Sequence, residues 1–219
     1  MNKKEILEKI LKIRLMPLFY HKDVDIAKKV LKAVFEGGIK LLEFTNRGEN
    51  AFDVFCDLQK LKSTDYPDSL LGIGSIVDRE TAFRYIEQGT DFLVTPLLNR
   101  EVIEVCNENK ILCIPGCSTL TEIYQAETWG AELVKVFPAL QLGGPAYIKS
   151  IKGPCPWLSL VVTGGVKATK EDLKAWHDSG ADGFGLGSDL LSKELINQGN
   201  YTALSEKVSE LLSIVQDFE

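Results

Sequence analysis

The chain has 219 residues, 45% of them hydrophobic, which suffices for one large core and excludes a disordered chain. Its formal net charge of −6 argues against a nucleic-acid-binding surface, although a local site can still hold a small anion. No segment approaches the roughly 20 apolar residues that span a bilayer. The 5 cysteines without CxxC spacing and the 2 histidines favour free thiols in the cytoplasm and argue against a histidine-rich metal site.

Apolar residues recur at helical spacing at the start of the chain and predict an extra N-terminal helix over residues 1–14. Short apolar runs then alternate with amphipathic segments, as in successive β/α units. The last amphipathic segment predicts a C-terminal helix within residues 193–219. The eight apolar runs are residues 15–20, 41–47, 70–76, 92–98, 111–117, 133–139, 158–165 and 183–188.

The segments between the runs carry helix signals. Asp78 and Thr169 are predicted N-caps, since each precedes an amphipathic stretch and has a short polar side chain. Glycines are predicted to end several helices, at positions 37, 89, 130 and 180. One helix should bury a stripe made of Ile26, Val30, Leu31, Val34 and Phe35.

The apolar runs are almost continuously hydrophobic, which is typical of parallel strands buried on both faces. Eight such units in a chain of this length favour a closed (β/α)8 TIM barrel over a doubly wound sheet. A GxGxxG motif is missing at the first strand–helix junction, which weakens the dinucleotide-binding alternative. The sequence therefore predicts a single domain over residues 1–219, with the barrel in residues 15–192.

A lysine lies inside the sixth apolar run, LVKVFPA. Because side chains alternate along a strand, Lys135 faces the barrel interior if its two neighbouring valines face the helices. Burial lowers the pKa of a lysine, and a neutral amine can attack a ketone to form an imine. The pattern is also open to a lysine that reaches solvent at the strand end or closes a buried ion pair.

Two charged residues lie in the second run, LLEFTNR. Glu43 and Arg47 share one face of the strand with Thr45. A carboxyl group near an imine can move protons, and an arginine can hold a carboxylate in bidentate fashion. The alternative is structural, with Glu43 paired to Arg47 or to Lys135.

Glycine-rich segments, VVTGG and GLGS, end the last two runs. Loops at these positions bind phosphate through backbone N–H groups in many barrels, although glycines also suit tight turns. Cys117 ends the fifth run without an obvious histidine partner, which favours an inert thiol. His21 follows the first run and is expected to be a solvated loop residue rather than part of the mouth.

The ordered motifs resemble those of the aldolase family that acts on 2-keto-3-deoxy-6-phosphogluconate (KDPG) and 4-hydroxy-2-oxoglutarate (KHG). The resemblance covers about residues 15–192, so it takes in nearly the whole chain. The motifs, in order, are EFTNRG, GIGS, TPLLN, PGCST, VKVFPA, KGPCPW, TGGV and GLGS.

The resemblance implies a role for each matching residue. Lys135 would form the imine, and Glu43 would be the general acid and base. Arg47 and Ser75 would bind the substrate carboxylate. Pro96 and Thr163 would line the pocket. Four residues of the last two loops would bind phosphate: Gly164, Gly165, Gly187 and Ser188.

The resemblance also implies the reaction. A class I aldolase, a carbon–carbon lyase, would cleave KDPG to pyruvate and glyceraldehyde 3-phosphate, or KHG to pyruvate and glyoxylate. The family is homotrimeric and needs no metal or organic cofactor. The expected partner is a small 2-keto acid in the cytoplasm, with neither nucleic acid nor membrane involved.

The sequence departs from the family pattern at the outer part of the pocket, at Tyr20, Leu97, Leu140 and in TNRG, and Ser75 replaces the usual threonine. These departures leave open a phosphogalactonate aldolase or an oxaloacetate decarboxylase. A non-catalytic sugar-phosphate-binding barrel is a further alternative. That barrel would have no need for Lys135 and Glu43 together.

Overall fold

The structure is a computed structural model that describes residues 1–218. Strands and helices alternate along these residues. The strands are β1 (Leu15–Phe19), β2 (Leu41–Thr45), β3 (Leu70–Gly74), β4 (Phe92–Val94), β5 (Leu112–Ile114), β6 (Gly116–Cys117), β7 (Val134–Val136), β8 (Leu160–Thr163) and β9 (Gly183–Leu186). The helices are α1 (Lys3–Ile13), α2 (Val24–Glu36), α3 (Ala51–Asp65), α4 (Arg79–Glu87), α5 (Arg100–Glu108), α6 (Leu120–Thr128), α7 (Pro145–Lys152), α8 (Lys170–Asp178), α9 (Lys193–Asn197) and α10 (Tyr201–Gln216).

The strands form a parallel barrel in the order β5-β4-β3-β2-β1-β9-β8-β7-β6. Only Pro115 separates β5 from β6, and its carbonyl accepts a hydrogen bond from Lys135 N at 2.9 Å. Together, β5 and β6 thus form one interrupted strand between β4 and β7. The barrel therefore closes with eight strand positions. The fifth predicted run is divided because proline has no N–H to donate to the ladder. The predicted (β/α)8 barrel with an extra N-terminal helix is confirmed.

Local signals in the sequence place most helix ends correctly. The Asp78 side chain accepts from Thr81 N at 2.7 Å, and Thr169 accepts from Asp172 N at 3.3 Å. At the end of α2, however, Gly38 rather than Gly37 takes the left-handed conformation, with φ of +98°. The C-terminal segment holds two helices, α9 and α10, where the sequence predicts one. No helix in residues 1–218 is long and apolar enough to cross a membrane.

The core lies inside the barrel and between the barrel and its helices. Every residue of β2 and β3 is buried, as expected of parallel strands covered on both faces. The predicted stripe on α2 is buried except for Ile26, which is half-buried at the edge of the core. Each fully buried aliphatic side chain contributes about 1.5–3 kcal/mol to the free energy of unfolding.

Two Lys–Asp pairs fix the N-terminal end of the barrel. The Lys62 ammonium lies 2.9 Å from Asp91 Oδ2, and the same oxygen accepts from Leu71 N at 2.7 Å. An equivalent pair joins Lys152 to Asp182 at 2.9 Å, and Asp182 accepts from the first residue of β8. Asp91, just before β4, is therefore bonded to β3, and Asp182, just before β9, is bonded to β8. The two pairs sit four strand positions apart, on opposite sides of the ring.

We expect Asp91→Ala to lower the free energy of unfolding by about 2–4 kcal/mol, because it leaves a buried ammonium and a buried amide without their partner. Urea unfolding followed by circular dichroism measures the change. Glu104→Ala is the matched control: Glu104 pairs with Arg100 on the surface, with side chains 44% and 65% exposed. This control should cost no more than about 0.5 kcal/mol. Equal losses in both variants would contradict the role given to Asp91.

Candidate active site

Lys135 lies in the middle of β7 and points into the barrel. Its side chain is buried, with 6% of the residue exposed. Among residues 1–218 its Nζ has neither a hydrogen bond nor an ion pair, and it lies 5.1 Å from the centroid of the Phe137 ring. The structure therefore shows neither the solvent-directed lysine nor the buried ion pair that the sequence left open.

Glu43 lies on β2 with only 2% of the residue exposed. Its Oε1 occupies the space above Gly74, so closely that a Cβ at position 74 would overlap it. Its Oε2 is buried without a hydrogen-bond partner in the described part of the chain. A carboxyl oxygen in that state costs free energy unless a ligand or proton satisfies it. The structural pairing of Glu43 with Arg47 is not seen.

The protonation states of Lys135 and Glu43 follow from their burial. Desolvation lowers the pKa of Lys135 below its ordinary 10.5, an effect that the Glu43 charge partly offsets and the Arg47 charge reinforces. Desolvation also raises the pKa of Glu43 above its ordinary 4.5, against the opposing pull of Lys135 and Arg47. Both shifts favour the uncharged forms. A neutral amine is a nucleophile and a neutral carboxylic acid is a proton donor.

Arg47 and Ser75, the two residues predicted to bind the substrate carboxylate, are in contact with each other. Arg47 follows β2 and is exposed, and its Nε donates to Ser75 Oγ at 3.4 Å. Ser75 follows β3 and has φ of +63°, a left-handed conformation that costs a non-glycine residue about 1 kcal/mol or more. This backbone conformation directs the serine hydroxyl towards the guanidinium. The two groups together can hold a carboxylate.

The predicted pocket residue Pro96 lies two positions after β4, and Thr163 is the last residue of β8. Thr163 is 7% exposed, and its Oγ1 is buried without a hydrogen-bond partner within residues 1–218. Pro96 is half-buried and packs so closely on Gly116 that a Cβ there would lie 2.5 Å from the proline carbonyl carbon. Cys117 is buried, and burial raises its thiol pKa to about 12, which agrees with the expected inert thiol.

A pocket of about 400 Å³ opens beside these groups, at the mouths of β1, β2 and β9. We call it the outer pocket. Arg47 connects it to Lys135 and Glu43, because Arg47 lines the pocket and acts electrostatically on both groups. Its lining residues are Leu18, Phe19, Tyr20, His21, Arg47, Gly187, Ser188, Leu191, Lys193, Ile196 and Asn197.

The four residues predicted to bind phosphate are not brought together in the outer pocket. Gly187 and Ser188 line it, whereas Gly164 and Gly165 do not. A Cβ at position 165 would overlap the Leu140 side chain, although Gly165 itself is exposed. Leu140 N also donates to the Gly164 carbonyl at 3.0 Å, so this loop is packed against the segment that follows β7.

Sequence reasoning missed part of the outer pocket. His21 was expected in a solvated loop but is half-buried on the pocket wall. The sequence does not identify Lys193 and Asn197 as pocket residues, because it predicts a single C-terminal helix over residues 193–219. Ser192 is the signal that could have separated α9, since its side chain accepts from Leu195 N at 3.5 Å as an N-cap.

A parallel barrel with an unpaired interior lysine beside a buried carboxyl group is an arrangement suited to enzymes that act on carbonyl compounds. A family model described as KDPG and KHG aldolase matches residues 6–207. The chain therefore belongs to the KDPG and KHG aldolase family, and it is a carbon–carbon lyase.

Relatives and solved structures agree with this membership. A 2-dehydro-3-deoxy-phosphogluconate aldolase of Pseudoalteromonas atlantica is 33% identical over 154 residues, 70% of each chain. The KHG/KDPG aldolase of Escherichia coli is 28% identical over 196 residues, 89% of each chain. A KDPG aldolase of Legionella pneumophila, with pyruvate captured at low pH as a covalent carbinolamine intermediate, matches with a TM-score of 0.83 and 25% identity. That match covers 93% of this chain and 97% of the other.

We expect Gly74→Ala to lower the free energy of unfolding by about 1–3 kcal/mol, because its Cβ would collide with the Glu43 carboxyl group. Gly187→Ala is the matched control, since the nearest atom to its Cβ would be Leu18 Cδ1 at 3.6 Å. A double-mutant cycle with Glu43→Ala, measured by urea unfolding, identifies the colliding group. The cost of Gly74→Ala should largely vanish without the glutamate side chain. An unchanged cost would contradict this placement of Glu43.

Proposed function

We propose that the chain is a class I aldolase that forms an imine between Lys135 and a pyruvate-like 2-keto acid. The unpaired, desolvated amine of Lys135 is the observation that carries the proposal, because such an amine is neutral more often than an exposed lysine. The names of the relatives support KDPG and KHG as substrates.

The proposed reaction begins when Lys135 Nζ attacks the C2 carbonyl carbon and forms a carbinolamine. Glu43, whose carboxyl pKa is raised by burial, donates the proton with which the C2 hydroxyl leaves as water. The resulting cationic imine accepts the electron pair of the C3–C4 bond while the C4 hydroxyl gives its proton to the Glu43 carboxylate formed in the preceding step. The aldehyde product leaves, and an enamine of pyruvate remains on Lys135. Protonation at C3 and hydrolysis of the imine release pyruvate and restore the amine.

The groups around Lys135 would orient the substrate. Arg47 and Ser75 would hold the C1 carboxylate and so place C2 over the lysine. Thr163 presents an unpartnered hydroxyl at the end of β8, which can hydrogen-bond a substrate oxygen, and Pro96 would close the opposite side. For a phosphorylated substrate, the loops that contain Gly164, Gly165, Gly187 and Ser188 are the predicted phosphate ligands.

A non-catalytic sugar-phosphate-binding barrel is the weaker interpretation. Burial of a lysine and a glutamate that form no ion pair costs stability. A binding module would gain nothing from that cost, whereas an imine-forming enzyme requires it.

We also propose that the protein is a homotrimer in the cytoplasm. The family resemblance supports the homotrimer. The location is supported by the cysteines, since all 5 in the chain are free thiols, as is usual in a reducing compartment. Sedimentation-equilibrium analysis of the purified protein tests the trimer.

Lys135→Ala should abolish cleavage of KDPG and KHG, because no other described residue offers a buried amine at the barrel mouth. Treatment with pyruvate and borohydride, followed by peptide mass spectrometry, should place a stable adduct on residue 135 of the wild-type chain and none on the variant. Lys167→Ala is the matched control, since Lys167 is an exposed lysine beside the same end of the barrel. The control should keep both the adduct and the activity. Turnover that persists in Lys135→Ala would refute the imine.

A further inference from the structure

The outer pocket is cationic in a chain that is acidic overall. The formal net charge is −6, yet none of the pocket-lining residues carries a carboxyl group. Arg47 and Lys193 bring two permanent positive charges, and His21 adds an imidazole. These three residues come from three separate parts of the fold: the segment after β2, helix α9 and the segment after β1. Such a pocket attracts an anion.

Neighbouring acidic residues are engaged elsewhere. The Asp189 carboxylate accepts from Ala168 N, on the side of the β8 loop. The Asp23 carboxylate caps α2 by accepting from Asp25 N at 2.9 Å and Ile26 N at 3.1 Å. Neither aspartate is among the residues that line the outer pocket. The positive charges are therefore not neutralised from within the pocket.

The two cations and the imidazole are available to a ligand. Neither Arg47 nor Lys193 forms an ion pair with any other residue in the described range 1–218. His21 Nδ1 lies 3.1 Å from Asp23 N and 3.3 Å from Asp23 O, so Nε2 is the ring nitrogen that remains for a ligand.

The β8 loop, by contrast, does not line the outer pocket. Pro138 and Leu140 lie over Gly164 and Gly165, and a Cβ on Gly164 would meet Pro138 Cα at 3.1 Å. The outer pocket offers about 400 Å³ beside the cationic side chains.

We propose that Lys193 and His21 are specificity-determining residues, which select substrates whose end remote from the keto group carries an anion, and that a terminal phosphate binds between them and Ser188. This inference rests on the proposed aldolase function. Arg47, which lines the outer pocket, and its hydrogen-bond partner Ser75 remain the ligands of the C1 carboxylate. The lysine from α9 then contacts the opposite end of the same substrate.

The test compares kcat/KM for KDPG and for its unphosphorylated form, 2-keto-3-deoxygluconate. Loss of one charge-assisted hydrogen bond should lower kcat/KM for KDPG about 10- to 100-fold in Lys193→Ala, and less in His21→Ala. Values for the unphosphorylated substrate should stay within about 2-fold, because it presents no anion to the pocket. Lys193→Arg should keep most of the preference for KDPG.

Lys22→Ala is the matched control, since Lys22 is an exposed lysine at the same end of the barrel but outside the lining of the outer pocket. It should leave both substrates unchanged. Equal falls on both substrates in Lys193→Ala, no fall on either, or an equal effect of Lys22→Ala would overturn the proposal. Adduct formation with pyruvate, which has no distal anion, should be normal in every one of these variants. Failure of that adduct in the wild-type chain would instead refute the aldolase function itself.

Discussion

The site depends on the burial of an amine and a carboxyl group that do not neutralise each other. Lys135 and Glu43 lie inside the barrel without an ion pair between them, and desolvation pushes both towards their uncharged forms. A salt bridge would stabilise the barrel better but would leave a protonated, unreactive amine. The two buried, unpaired groups lower the free energy of unfolding, and the burial of the apolar residues around them offsets this cost. The unsatisfied Oε2 of Glu43 marks where a ligand or proton completes the arrangement.

Glycines in the strands of the barrel make room for the side chains of the site. Gly74 leaves room for the Glu43 carboxyl group, and Gly185 leaves room for the Thr163 side chain. The interruption at Pro115 brings its carbonyl to the backbone N–H of Lys135, which fixes β7 at the lysine. At the other end of the barrel, the Lys62–Asp91 pair and its counterpart hold the strands in register. The chemistry at the mouth thus rests on a rigid frame below it.

Much of the fold could be predicted from the sequence because apolar runs and helix caps are local signals. The division at Pro115 and the break between α9 and α10 were not predicted, since both depend on how the chain meets its neighbours. Lys135 and Glu43 could be singled out as charges within apolar strands. The proximity of Leu140 to Gly165 and the approach of Lys193 to the mouth could not, because each joins residues far apart in sequence.

The protonation of Lys135 can be measured directly. Lysine labelled with ¹³C at Cε gives one NMR signal for each lysine, and the signal that is missing from Lys135→Ala belongs to residue 135. Since burial destabilises the ammonium, this signal should titrate with a midpoint below the ordinary lysine value of 10.5. A midpoint at or above 10.5 would show that the amine is held in its charged form and would contradict the account.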